Sequence, residues 1–165
     1  MTTEKTKLPE RIAAPRLVVR KAARRLDFFD GDALLKTYRI GLGFAPDGDK
    51  EIEGDGKTPL GEFYVFTKNP ESKFFLSLGV SYPSVEDAER GLRENLISPA
   101  EYEEILAAIR EKRMPPQTTR LGGAIYIHGG GPAKDWTWGC MALDDEEMRE
   151  IYDAVPVGAP VLIEP

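Results

Sequence analysis

The chain has 165 residues, an apolar fraction of 41% and a net charge of −6, which suits one domain with a full core and shows no repeat or second module. Its acidic balance, with no basic stripe interleaved with aromatics, argues against a nucleic-acid partner. One cysteine cannot close an internal disulfide, and one histidine with one cysteine falls short of a zinc ligand set, so neither metal nor cofactor is expected.

The first ten residues are polar and carry no apolar h-region, so they read as neither a secretory signal nor a membrane anchor, and no stable membrane insertion is expected. Residues 1–14 are taken as a flexible N-terminal segment and 15–165 as the domain. Arg16 to Val19 and Leu26 to Phe29 read as strands, with Asp30-Gly31 as a turn into the run Ala33 to Tyr38. The basic cluster Arg16, Arg20, Lys21, Arg24 and Arg25 reads as a solvated hairpin edge. Ile40 to Phe44 continues the sheet into a glycine-rich loop, and Gly61 to Phe66 and Phe74 to Val80 alternate as half-buried strands do.

After Tyr82-Pro83 the pattern turns helical. Ser98-Pro99-Ala100-Glu101 is a capping-box start with proline at the first helical position, and Tyr102, Ile105, Leu106 and Ile109 mark one face. Pro115-Pro116 ends it. Ala124 to Ile127 is a buried strand leading into His128 and three glycines. Asp144 caps a last helix with Met148, Ile151, Tyr152 and Val155 facing inward, and Val157 to Ile163 returns as a strand. The fold class is mainly β with helical insertions (α+β).

The chemistry sits in Ile127-His128-Gly129-Gly130-Gly131 and Asp135-Trp136-Thr137-Trp138-Gly139-Cys140, which hold the only histidine and the only cysteine. A thiol is mostly protonated at neutral pH, so a cysteine nucleophile needs an imidazole to accept its proton or stabilise the thiolate. Only one such pair exists here. The bland alternative is a buried cysteine acting as a small hydrophobe and a structural histidine. The flanking glycines favour the sharper reading, because they let backbone approach a substrate and leave the amides of Gly139 and Cys140 as oxyanion donors.

In this order, H-G, then T-x-G-C, with Gly48-Asp49, Gly54-Asp55-Gly56 and Thr58-Pro59-Leu60-Gly61-Glu62-Phe63 upstream, the chain resembles the L,D-transpeptidase catalytic domains of the YkuD-like family over nearly its whole length from Pro15. The resemblance implies an L,D-transpeptidase-like β-sandwich in which Cys140 attacks an acyl donor and His128 moves the proton. It also implies that the Gly129 carbonyl orients the imidazole; Asp135 is a side-chain alternative for that role. Peptidoglycan stem peptides are the implied substrate, and the protein is expected to act as a monomer. Tyr82, Trp136, Thr137 and Trp138 are taken as residues lining the donor groove, with core packing as the alternative for the aromatics.

Two positions depart from the family pattern. Thr137 stands where serine is common and keeps the hydroxyl, whereas Ala142 stands where arginine is common and deletes a cation. That loss implies weaker selection for a donor carboxylate and relatively more hydrolysis. The same acyl-enzyme, attacked by water, would make the chain a carboxypeptidase, amidase or endopeptidase, and a catalytically inactive wall-binding module is the non-enzymatic alternative. A cell-wall role implies the periplasm or cell envelope, with this chain read as a domain lacking its export signal; a cytoplasmic enzyme is the other reading. If His128 depresses the Cys140 pKa, alkylation should persist below the free-thiol value of about 8.5.

Overall fold

The computed structural model describes residues 6–165. Among them, eight strands form one curled sheet and three helices pack against it. The strands are β1 (Pro15–Arg20), β2 (Arg25–Asp30), β3 (Ala33–Arg39), β4 (Gly61–Ser72), β5 (Phe75–Val80), β6 (Tyr126–His128), β7 (Met141–Ala142) and β8 (Pro160–Glu164). The helices are α1 (Val85–Arg93), α2 (Pro99–Arg110) and α3 (Asp145–Ala154). The expected mainly β fold with helical insertions is therefore observed.

The sheet order is β3-β2-β1-β8-β4-β5-β6-β7. The long strand β4 carries the sheet round its bend. Its first residues, Gly61 to Tyr64, pair with β8, whereas Val65 to Ser72 pair with β5 through two register irregularities. Such irregularities bend a strand and increase its twist, so one strand can serve two halves of a curled sheet. Leu17, Val19, Phe28, Val65, Leu78, Ile127, Met141 and Ile151 fill the enclosed core, which takes side chains from both halves and from α3. A smaller cluster of Ala88, Ile97, Ile105 and Leu121 lies under α1 and α2.

Both inserted helices start on capping boxes. Ser84 Oγ accepts from the Asp87 N–H at 3.2 Å and Asp87 Oδ2 accepts from the Ser84 N–H at 2.9 Å. Ser98 and Glu101 repeat the pattern at 3.1 and 2.9 Å, with Pro99 at the first helical position as the sequence predicts. Asp144 caps α3 through the Glu146 N–H at 3.0 Å. Of the expected α2 face, Ile105 is buried with Tyr102 and Ile109 beside it, and Leu106 lies outside that cluster.

Two expectations need correction. Ile40 to Phe44 does not continue the sheet as a strand; it makes single bridges from Gly41 to Ala142 and from Gly43 to Thr137. The physical reason is close backbone contact, since a Cβ on Gly41 would lie 2.2 Å from the Lys134 carbonyl oxygen and one on Gly43 2.1 Å from that of Gly56. The basic cluster is not simply a solvated edge. Lys21 is buried and its Nζ donates to the carbonyls of Gly48 and Thr58, both at 2.6 Å, while Arg24 reaches Asp135. Of the segment expected to be flexible, residues 1–5 lie outside the described residues, and Leu8 and Ile12 pack against the main core.

Gly43→Ala should lower stability by about 1–3 kcal/mol, the usual cost of overpacking, because the obstructing atom is backbone and cannot rotate away. Denaturant unfolding measures this. An unchanged midpoint would mean that the two glycine-rich segments separate freely.

Candidate active site

The imidazole and the thiol arrive on neighbouring strands. β6 ends at His128 and pairs in parallel with β7, with Ile127 opposite Met141 and His128 opposite Ala142; Cys140 is the residue just before β7. On its other edge β6 pairs with β5, which sets Ser77 opposite His128. Alternation along β6 then sends Ile127 into the core and turns Tyr126 and His128 to the other face. Those two, Cys140, Ser77 and Phe74 line one cavity of about 380 Å³.

His128 is buried, and its Nδ1 lies 2.6 Å from the Gly129 carbonyl oxygen. A carbonyl can only accept, so Nδ1 carries the proton and Nε2 is the basic nitrogen of the neutral ring. This is the arrangement expected of Gly129. Asp135 takes no part in it: its carboxylate accepts from Arg24 Nη2 at 2.8 Å and from the Leu42 N–H at 3.0 Å, tying the loop before Cys140 to the β1–β2 turn. The Gly129-Gly130 backbone is held from α3 instead, where Asp145 Oδ1 accepts from the Gly130 N–H at 2.8 Å.

Cys140 Sγ donates to the Ala124 carbonyl and accepts from the Tyr126 N–H, each at 3.4 Å. Burial pushes the thiol up to about 11, with the Tyr126 N–H and the Lys50 ammonium opposing the shift. Burial also lowers the His128 imidazole below its ordinary value, against the Gly129 hydrogen bond that raises it. Both groups are therefore neutral at rest. Desolvation penalises the charged form of each partner, which opposes a depressed thiol pKa at Cys140.

Thr137 is buried in the turn that presents the thiol. Its Oγ1 donates to the Cys140 carbonyl at 2.8 Å and accepts from the Gly139 N–H at 3.2 Å, so it shapes the turn and does not line the cavity. The same bond commits the Gly139 N–H inward, away from the oxyanion role expected of it. Gly139 has φ +134°, and a Cβ there would stand 2.7 Å from the Lys57 carbonyl oxygen. The residue just before the upstream Thr58-Pro59 thus supplies the backbone wall against which the Cys140 turn is folded.

The expected groove residues separate. Tyr82 is fully buried against Phe63, with its hydroxyl donating to the Leu121 carbonyl at 2.6 Å; it belongs to the core and not to the groove. Trp138 is 70% exposed and meets Phe44 edge-on. Trp136 stands beside the imidazole, at 5.6 Å between ring centroids. Sequence reasoning missed Phe74, which stacks on His128. Its signal was two successive aromatics, Phe74-Phe75, where alternation leaves one of them off the core.

Residues 14–163 match the family model of YkuD, the L,D-transpeptidase catalytic domain. The chain belongs to that family. Among solved structures it is similar to the helical cell shape determining protein Pgp2 of Campylobacter jejuni, at 23% identity over 92% of this chain and 47% of that one, with a TM-score of 0.64. It is also similar to Bd1075 of Bdellovibrio bacteriovorus (19% identity, 96% and 51% covered, TM-score 0.59) and to an L,D-transpeptidase of Mycobacterium smegmatis (14%, 93% and 59%, 0.56). These likenesses establish the fold, and the chain spans roughly half the length of those proteins. No curated protein matches it in sequence. No helix among the described residues is long and apolar enough to cross a membrane.

The neutral resting pair makes a measurable statement. Alkylation of Cys140 by iodoacetamide should rise with pH along a curve whose midpoint lies above the free-thiol value of about 8.5. A midpoint below that value would mean a resting thiolate. Tyr82→Phe should cost about 1–3 kcal/mol, since it strands the buried Leu121 carbonyl, and should leave that alkylation curve in place. A shifted curve would return Tyr82 to the site.

Proposed function

We propose that this chain is a cysteine acyltransferase acting on peptidoglycan stem peptides, an L,D-transpeptidase working through a thioester. The observation that carries the reading is the Nδ1–Gly129 hydrogen bond, which leaves Nε2 as the base in a cavity it shares with Cys140, in a chain of this family. Because both groups rest neutral, the proton leaves the thiol as it attacks. Sγ bonds to the donor carbonyl carbon while Nε2 takes the thiol proton, and the imidazolium then returns it to the leaving amine. The backbone N–H of Cys140 is the oxyanion donor in this scheme, since that of Gly139 is held by Thr137. An amine from a second stem peptide then takes the acyl group and releases the thiol. The setting that suits such a reaction is the periplasm or cell envelope.

Hydrolysis of the same thioester is the second reading, and Ala142 favours it. The side chain is fully buried in β7 and supplies no cation. A donor carboxylate met by arginine would gain about 1.5–3 kcal/mol from the charged hydrogen bond, and that selection is missing at this position. Water and unusual amines then compete better as acceptors.

Incubation with purified muropeptides and product analysis separates cross-link formation, D-alanine release and cross-link cleavage. Cys140→Ala should abolish turnover with the fold intact, and His128→Ala should lose at least ~10²–10⁴-fold, the usual contribution of a positioned base. A carbapenem adduct on the wild-type thiol, read by mass spectrometry, should vanish in Cys140→Ala. No turnover and no adduct in the wild type would leave a binding module as the correct reading.

A further inference from the structure

Three rings meet at the imidazole. Phe74 stacks on His128 with centroids 4.7 Å apart and planes 26° apart, and Trp136 approaches Phe74 edge-on at 5.0 Å and His128 at 5.6 Å. Trp136 is pinned by its Nε1–H, which donates to the Gly131 carbonyl at 3.0 Å. Phe74 lies in the turn between β4 and β5, and 42% of it is exposed, so hydrophobic burial alone gives it little reason to sit where it does.

The turn is shaped to place that ring. Phe75 holds φ +75°, a left-handed conformation that a bulky residue rarely adopts and that tends to occur where surrounding structure over-determines it. Here Phe75 packs partly on the core beneath the Arg149 guanidinium, and Ser72 Oγ accepts from the Phe74 N–H at 3.1 Å. The two phenylalanines are thereby split, one to the core and one to the imidazole. Gly129 fits against the same turn, since a Cβ there would lie 2.8 Å from the Phe74 carbonyl oxygen.

We propose that Phe74 is a positioning residue for His128, fixing the plane of the imidazole so that Nε2 faces the thiol and keeping water off the base. The inference rests on the reading of His128 as the base for Cys140. The Gly129 carbonyl holds the ring at its Nδ1 edge, and the stacked Phe74 ring packs on its face and resists tilting of the plane. Beside Phe74 and Trp136, the charged or titratable groups around His128 among the described residues are the Cys140 thiol, the Tyr126 phenol on the same face of β6, Asp145 of α3 reached through Gly130, and Glu71 and Lys73 at the turn.

His128 is the only histidine, so in untagged protein its ring protons give a single set of NMR signals. In the wild type those signals should lie upfield, displaced by the Phe74 ring current, and titrate below the ordinary histidine value. Phe74→Leu should move them downfield and raise the titration midpoint, while Phe74→Tyr should keep both near wild type. On a stem tetrapeptide, Phe74→Leu should lower kcat about 10–100-fold with KM nearly unchanged, the scale expected when a reacting group is misplaced. An unmoved His128 signal in folded Phe74→Leu overturns the proposal, and so does a loss confined to KM, which would make Phe74 a substrate contact. A wild-type protein inert on stem peptides fails the functional reading instead, and the NMR comparison still decides the role of Phe74.

Discussion

Two rungs of parallel pairing between β6 and β7 carry the site, because they are what sets the imidazole and the thiol side by side. A strand of two residues has little stability of its own, so its position must be imposed from outside. β5 fixes the far edge of β6, and the mutual bonds between Gly41 and Ala142, both 2.9 Å, fix the far edge of β7. The Leu143 N–H returns to the His128 carbonyl at 2.8 Å, and the Gly131 N–H to the Leu143 carbonyl at 2.9 Å. Each such bond contributes about 1 kcal/mol net, and together they leave the short strand one position to occupy.

The loop between His128 and Cys140 is anchored in the same manner. Arg24 grips Asp135 with two nitrogens, and Asp135 also accepts the Leu42 N–H. A bidentate arginine–carboxylate pair adds directional constraint to its charge, so the β1–β2 turn holds a segment 111 residues away. Arg24 itself has φ +50°, in the turn between β1 and β2. Half-exposed ion pairs add little stability, and what this one supplies is register. The basic cluster at the start of the chain thus belongs partly to the active-site scaffold.

Much of this was legible in the sequence, and the failures share a cause. Ser98-Pro99-x-Glu101 announced its helix because the capping bonds are local, and the lone His128 and Cys140, the single candidate pair in the sequence, line one cavity. Tyr82 misled because an aromatic next to proline looks the same whether its hydroxyl meets a ligand or the Leu121 carbonyl 39 residues on. Lys21 and Arg24 misled for the same reason: their partners at Gly48, Thr58 and Asp135 are set by topology. α1 was blurred because its inward face includes Asp87 and Gly91, so the apolar stripe that marks a helix is broken. The glycines of the upstream segments were visible as a motif, but their purpose lies in which carbonyls they touch.

The electrostatics of the site follow from the same packing. A pocket walled by sheet backbone and aromatic rings partly desolvates the thiol and the imidazole, which raises the first and lowers the second. In the proposed mechanism, charge separation between them is costly until a substrate carbonyl accepts the sulfur's electrons. This arrangement protects the thiol from oxidation and stray alkylation, since the thiolate is the reactive form. In the proposed mechanism the imidazolium forms only during attack, so the oxyanion must be met at once by a donor already in place, the Cys140 N–H. Thr137 holds the turn that presents that amide, and it keeps a hydroxyl at a position where serine is common in the family.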